Sequence, residues 1–297
     1  MNLNDNRAIR RSTLMPSAIV TRFAPSPTGL LHLGHAYSAL FAFEAARQAG
    51  GRFLLRVEDI DFIRCRREFE EALLEDLAWL GVEWELPVRR QSAHLAEYSV
   101  VANGLKARGL LYPCFCTRKD ILREIESAGG APHGSEGPLY PGLCRDLSED
   151  ERQTRIAAGE SFALRLHLDR AVAEAGNDLE WCDLVKGVQL AQPELLGDVV
   201  LVRKDIGCSY HLAVALDDAL QGITRVTRGE DLFEATHLQR LLQALLELPT
   251  PEYHHHSLIC DETGKRLAKR DEAESLRSLR EHGESPKDVR HRLGFSF

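Results

Sequence analysis

The sequence predicts an α/β protein: a doubly wound, Rossmann-like parallel sheet with an inserted α+β subdomain. Three observations carry that prediction. An apolar run, Ile19 to Ala24, is stopped by Pro25, Pro27 and Gly29 and gives way at once to a helical pattern. A second apolar run, Phe53 to Val57, ends in Glu58-Asp-Ile-Asp61. That puts carboxylates at the C-terminal end of a strand, where parallel sheets bind ligands. From Tyr112 the chain changes character, and patterns of the first kind resume near Tyr210.

Taken in order, residues 1–16 hold Arg7, Arg10 and Arg11 but no apolar stretch. They read as a disordered arm, not a signal peptide. Residues 17–110 form the first half of the sheet domain. After the strand at Ile19, a helix is expected from His35, with Ala36, Ala39, Leu40, Phe43 and Ala46 on one face. His32 and His35 then flank its first turn, where free N–H groups and the dipole favour an anion. Gly34 lets a flat ring approach the backbone. Arg66 to Leu80 reads as an amphipathic helix stopped by Gly81, with Phe69, Leu73, Leu77 and Leu80 inward. Ser92 to Gly109 reads as another, capped by Ser92, with Leu95, Tyr98, Val101 and Leu105 buried.

Residues 111–195 read as the insertion. Ser127 to Gly142 is rich in Gly, Pro and Ser; Phe162 to Leu168 alternates as a half-buried strand; Leu184 to Leu190 is a further strand. Residues 196–260 resume the sheet: a strand at Val199 to Val202, a helix at Tyr210 to Asp218 and a strand at Ile223 to Thr227. A helix over Phe233 to Leu246, ended before Pro249, and a last strand at Tyr253 to Ile259 follow. Residues 261–297 hold a basic loop, Thr263 to Arg270, and a tail of 27 residues.

At 297 residues, 44% hydrophobic and 28% charged, the chain can bury a sizeable core. Its net charge of −8 argues against indiscriminate nucleic-acid binding but leaves room for a local basic patch. No apolar run approaches the roughly 20 residues that span a bilayer, so no membrane partner is expected. Seven cysteines, an odd number without a secretion signal, point to reduced thiols in a cytoplasmic chain. A monomer is expected.

Cys114, Cys116 and Cys144, in a loop-rich segment, suggest one structural, tetrahedral zinc. From the residues alone the fourth ligand is open between His133, Glu136 and Tyr140. Gly264-Lys-Arg-Leu-Ala-Lys-Arg270 on its own reads as a solvated basic loop or an RNA contact. Arg228, in Thr-Arg-Gly-Glu, would by itself be a surface ion pair. Asp217-Asp218 admits a metal pair or a structural role. His254, His255 and His256 alternate faces in a strand, near a nucleotide or simply packed.

The run Arg22-Phe-Ala-Pro-Ser-Pro-Thr-Gly-Leu-Leu-His-Leu-Gly-His35 resembles the HIGH signature of class I aminoacyl-tRNA synthetases, the glutamyl/glutaminyl branch in particular. The late loop resembles their KMSKS loop, with Lys269 as its second lysine; Arg266 and Ala268 depart from that pattern. The resemblance implies that His32, Gly34, His35 and Lys269 bind ATP, with Mg²⁺, and that His32, His35 and Lys269 stabilise the reacting phosphate. It implies that Arg22, Ala24, Ser26, Glu58, Tyr210 and Arg228 hold L-glutamate, with Arg228 suited to a carboxylate. The cysteine spacing resembles the zinc knob of the same enzymes, which implies Tyr140 as fourth ligand, and Asp217-Asp218 then reads as structural. Glutamyl-tRNA synthetases carry a large anticodon-binding region after the KMSKS loop. The short tail here instead resembles the glutamyl-Q tRNA(Asp) synthetases, which implies glutamate activation by ATP and transfer to the queuosine base of tRNA(Asp). The other readings are a truncated glutamyl-tRNA synthetase acting on acceptor ends and a catalytically silent, zinc-containing RNA-binding protein.

Overall fold

The computed structural model describes residues 18–127, 133–134, 137–259 and 274–295. Its first strand, β1 (Val20–Phe23), is buried along its length, and the Thr21 hydroxyl is satisfied by the Ala42 carbonyl at 2.8 Å. Then come α1 (Leu33–Gln48), β2 (Arg52–Val57), α2 (Arg67–Trp79) and β3 (Glu85–Arg90). The three strands pair in parallel in the order β1-β2-β3. A 3₁₀ turn at Gln91–His94 leads into α3 (Leu95–Ala107). Ser92 does not cap that helix. Its N–H and hydroxyl donate to Asp59, at 2.8 and 2.5 Å, and so tie the entry of α3 to the loop after β2.

The middle of the chain runs β4 (Leu111–Cys114), α4 (Arg118–Ser127), a short hairpin of β5 (His133–Gly134) and β6 (Gly137–Pro138), and α5 (Glu149–Ala157). It continues with β7 (Ala163–Leu166), α6 (Leu168–Ala175), β8 (Glu180–Asp183), β9 (Gly187–Leu190) and β10 (Val200–Val202). The expected strand over Phe162 to Leu168 stops at Leu166, because Asp198 accepts the Leu168 N–H (3.1 Å) at the start of α6. Residues 184–186 form a turn, not a strand: Asp183 Oδ1 accepts from the Val185 and Lys186 N–H groups, both at 2.9 Å.

The last part holds α7 (Tyr210–Leu220), β11 (Arg225–Gly229), α8 (Ala235–Leu245), β12 (Glu252–His256), α9 (Leu276–Glu281) and α10 (Pro286–Arg292). β11, β12 and β8 pair in parallel, with β9 antiparallel at the edge. The Thr224 N–H donates to the Val20 carbonyl (3.0 Å) and the Val20 N–H to Thr224 Oγ1 (2.8 Å). β11 therefore lies beside β1, and the strand order reads β3-β2-β1-β11-β12-β8-β9. The chain builds outward from β1 on one side and from β11 on the other, so the two meet at a switch point. Strand pairing does not follow a division at residue 195: β8 and β9 join the parallel sheet through β12, while β10 pairs with β7 in an antiparallel layer, β10-β7-β4.

The tail folds back onto the first half. Leu276, Leu279, Val289 and Leu293 share a core with Ala36, Leu40, Leu73 and Leu77. Arg290, buried, donates to Glu44 (2.5 Å) and to the Leu80 carbonyl (3.1 Å).

Candidate active site

A cavity of about 620 Å³ opens at the C-terminal ends of β1 and β11. One side is the start of α1. His32 is the N-cap and His35 the third helical residue, and they cap reciprocally. His32 Nδ1 accepts from the Gly34 N–H (3.1 Å), and His35 Nδ1 from the His32 N–H (3.3 Å). In the neutral rings the proton is thereby fixed on Nε2. The rings lie 3.9 Å apart, centroid to centroid. Two Nε2–H donors beside a helix N-terminus make an anion-binding edge.

Across the switch point sits a ladder of buried charge. Arg22 donates to Asp218 from Nε (3.0 Å) and Nη2 (3.3 Å), and to the Thr227 carbonyl (3.2 Å). Arg56, fully buried, donates to Asp218 (2.7 Å), Gln221 (3.0 Å) and Glu58 (3.1 Å). Asp217 takes Arg89 (2.8 Å), Gln91 (2.9 Å) and the Tyr98 hydroxyl (2.9 Å). The Asp217-Asp218 pair is thus held by arginines and polar side chains, in a structural role. Burial raises the Asp218 carboxyl, but Arg22 and Arg56 overcome it and hold Asp218 below the usual range. Burial pushes Glu58 up, against the pull of Arg56 and Arg22. A cation brought beside Glu58 would favour its ionised form.

Arg228, on β11, is 5% exposed. Its Nε donates to His255 Nε2 (3.1 Å) and its Nη2 to Thr236 Oγ1 (2.5 Å). Its Nη1 is buried without a hydrogen-bond partner among the described residues. A buried guanidinium nitrogen left unpaired costs a few kcal/mol, which a carboxylate in the cavity would remove. Nearby Tyr210 has its hydroxyl pKa raised by burial.

Every described residue of the expected site lines this one cavity: Arg22, Ala24, Ser26, His32, Gly34, His35, Glu58, Tyr210 and Arg228. Lys269 lies outside the described residues. Its flanks do not: Leu258 and Ile259 line the cavity, while Ser275 bridges to His32 and the Leu276 N–H donates to the Leu31 carbonyl (2.8 Å). Lys269 is six residues from Ser275, a reach of about 20 Å at full extension. Sequence reasoning missed Arg56, Thr236 and the pairing of Asp183 with His255. For Arg56 a signal existed: a lone charge inside the apolar run Phe53 to Val57.

In the antiparallel layer, the Cys114, Cys116 and Cys144 sulfurs all lie within 4.8 Å of one another. The Tyr140 hydroxyl is 3.4 Å from Cys114 Sγ and 3.6 Å from Cys116 Sγ, and accepts the Cys144 N–H at 2.8 Å. The Arg165 guanidinium lies over the Tyr140 ring at 3.8 Å. The Cys114 thiol is held down to about 4, first by the hydrogen bond from Cys144, with Tyr140 and Arg165 adding and burial opposing. A tetrahedral centre with metal–sulfur bonds of about 2.3 Å needs sulfurs about 3.8 Å apart, which this cluster can accommodate. It could hold a metal ion; the His133 and Glu136 side chains lie outside the described ones.

The family model for the catalytic domain of class I tRNA synthetases (E and Q) matches residues 18–295. The glutamyl-Q tRNA(Asp) synthetase of Rhodobacter capsulatus is 51% identical over 281 residues, 93% of this chain and 100% of that one. That of Symbiobacterium thermophilum is 42% identical over 284 residues, 92% of this chain and 85% of that one. A crystal structure of a glutamate tRNA ligase from Elizabethkingia meningosepticum in complex with its amino acid superposes with a TM-score of 0.77 at 27% identity; the match covers 93% of this chain and 60% of that one. The chain belongs to the class I glutamyl and glutaminyl tRNA synthetases, and within them to the glutamyl-Q tRNA(Asp) synthetase family.

Proposed function

We propose that this chain activates L-glutamate with ATP, as its Mg²⁺ complex, and transfers the glutamyl group to the queuosine base of tRNA(Asp). The observation that carries the first half is Arg228, whose Nη1 is buried without a partner among the described residues, lining the same cavity as His32 and His35. One end suits a side-chain carboxylate and the other a polyphosphate. Arg22, Ala24 and Ser26 line the space between β1 and α1, and Glu58 accepts the substrate ammonium. The glutamate carboxylate attacks the α-phosphorus, giving glutamyl-adenylate and pyrophosphate. The Nε2–H groups of His32 and His35, with Lys269, stabilise the phosphate charge. Gly34 leaves room for the adenine. The protein forms no covalent bond; it positions and screens.

Cys114, Cys116, Cys144 and Tyr140 would hold one zinc, which closes the coordination shell and fixes the segment's fold. The chain works as a monomer in this proposal, and the antiparallel layer meets the RNA. The test is charging of tRNA(Asp) with labelled glutamate. Label that survives removal of the tRNA 3′ end and requires queuosine supports the reading; label lost with the 3′ end contradicts it.

A further inference from the structure

Arg228 reaches the cavity through a chain of three strands. Its direct neighbour across the β11–β12 pair is His255. Asp183, on β8, follows: its Oδ2 accepts His255 Nδ1–H at 2.7 Å and the His255 backbone N–H at 3.2 Å. The other oxygen, Oδ1, is fixed by two backbone N–H groups. The side chains of Asp183 and His255 are both fully buried.

This order of donors and acceptors admits one arrangement. A carboxylate only accepts, so His255 carries its proton on Nδ1 and offers a lone pair at Nε2. Arg228 Nε–H donates to that lone pair at 3.1 Å, which the Thr236 hydroxyl also reaches at 3.3 Å. Thr236 accepts from Nη2. Nη1, with both its protons, is left without a partner among the described residues, on a side chain that lines the cavity. Burial, and then the Arg228 charge, lower the pKa of His255 to about 4, so the ring stays neutral and its Nε2 stays an acceptor.

We propose that Asp183 and His255 are positioning residues of the side-chain pocket: as a donor–acceptor pair they turn the Nη1 end of Arg228 toward the cavity and so set its preference for a carboxylate over a carboxamide. The inference rests on the reading of Arg228 as the group that meets the substrate side chain. A carboxamide can offer Nη1 its one oxygen, but its N–H₂ stands where a carboxylate's second acceptor would be, and an arginine pinned on its other edges cannot turn to suit it. A site of fixed polar groups rejects the wrong partner more strongly than one that can rearrange.

The test is ATP–pyrophosphate exchange by the full chain and by Asp183→Asn, His255→Leu and His255→Gln. Asn keeps the size of Asp183 but can turn an N–H₂ toward His255. That moves the imidazole proton to Nε2, against Arg228 Nε–H. KM for glutamate is expected to rise at least about tenfold in Asp183→Asn and His255→Leu. KM for ATP and kcat should stay within about twofold, and the glutamate-over-glutamine ratio of kcat/KM should fall. His255→Gln can still accept from Arg228 and donate to Asp183, so it recovers most of the loss seen with Leu. An unchanged glutamate KM in Asp183→Asn overturns the proposal, as does a His255→Gln protein no better than His255→Leu. If Asp183→Asn does not fold, by circular dichroism, the two His255 variants decide the question. Exchange by the unaltered chain that is absent with glutamate defeats the proposed function itself, a separate result.

Discussion

Arg56 shows what one residue does for this site. It is fully buried and joins Glu58, Asp218 and Gln221. Without it Asp218 keeps only Arg22 as a charged partner, and Glu58 loses the stronger of the two guanidiniums that oppose its burial. Arg56→Met is expected to destabilise the fold by about 3–5 kcal/mol, read as a lower urea midpoint with the denaturant slope unchanged; a loss below about 1 kcal/mol would contradict the ladder. At the other end of the cavity, His35→Ala and Lys269→Ala should slow adenylate formation and leave glutamate affinity near its starting value, measured by single-turnover quench. Equal exchange rates in both variants would refute their roles. The residues proposed to meet substrate were legible in part from position, as the short signature Arg22 to His35 and the strand-end Glu58 were; Arg228, within β11, read alone as a surface ion pair and was assigned only through the family resemblance. Asp183 and His255 were not legible: they are 72 residues apart, and nothing local in a sequence joins a strand-end carboxylate to a histidine on another strand.

At the scale of elements, the apolar stripes predicted α2 and the later α7 and α8 to within a few residues. β3 and β8 were missed for a physical reason. β3 is largely exposed and charged, Glu85-Leu-Pro-Val-Arg-Arg90, and β8 is four residues long. Both are set by pairing to a neighbour rather than by their own pattern. Two element-level outcomes follow from the packing. Asp76, on α2, is buried against α9 with neither oxygen hydrogen-bonded among the described residues, and Arg280 is 3.8 Å away. Burial raises its carboxyl to about 6, with Arg280 and Arg277 opposing. A raised folded value means its protonated form favours the fold, and this contribution fades as pH climbs from about 4 through 6. Asp76→Asn should therefore raise the melting temperature above pH 6, by about 1–3 kcal/mol in stability, with the gain vanishing below pH 4. A gain that is independent of pH would contradict this. If the cysteine cluster holds the proposed zinc, chelation, or Cys116→Ser, should loosen α4, α5 and β4 to hydrogen exchange while the β1–β3 layer stays protected. Zinc of this kind can bind with roughly 10–16 kcal/mol of apparent free energy.

For the whole molecule, the prediction of a doubly wound sheet holds because the chain leaves β1 in one direction and returns to it at β11. That return, and not any single motif, makes the switch-point cavity. The last helices brace the first half of the sheet: α9 and α10 share a core with α1 and α2, and Ser275, just before α9, bridges to His32. Both flanks of the segment carrying Lys269 are thereby held at the cavity. In the proposed reaction one pocket joins a triphosphate to an amino acid with an acidic side chain. ATP–pyrophosphate exchange without tRNA, comparing glutamate, glutamine and aspartate, tests this most directly. Exchange is expected with glutamate and little with the other two; equal exchange with glutamine, or none with glutamate, would rule out such a pocket.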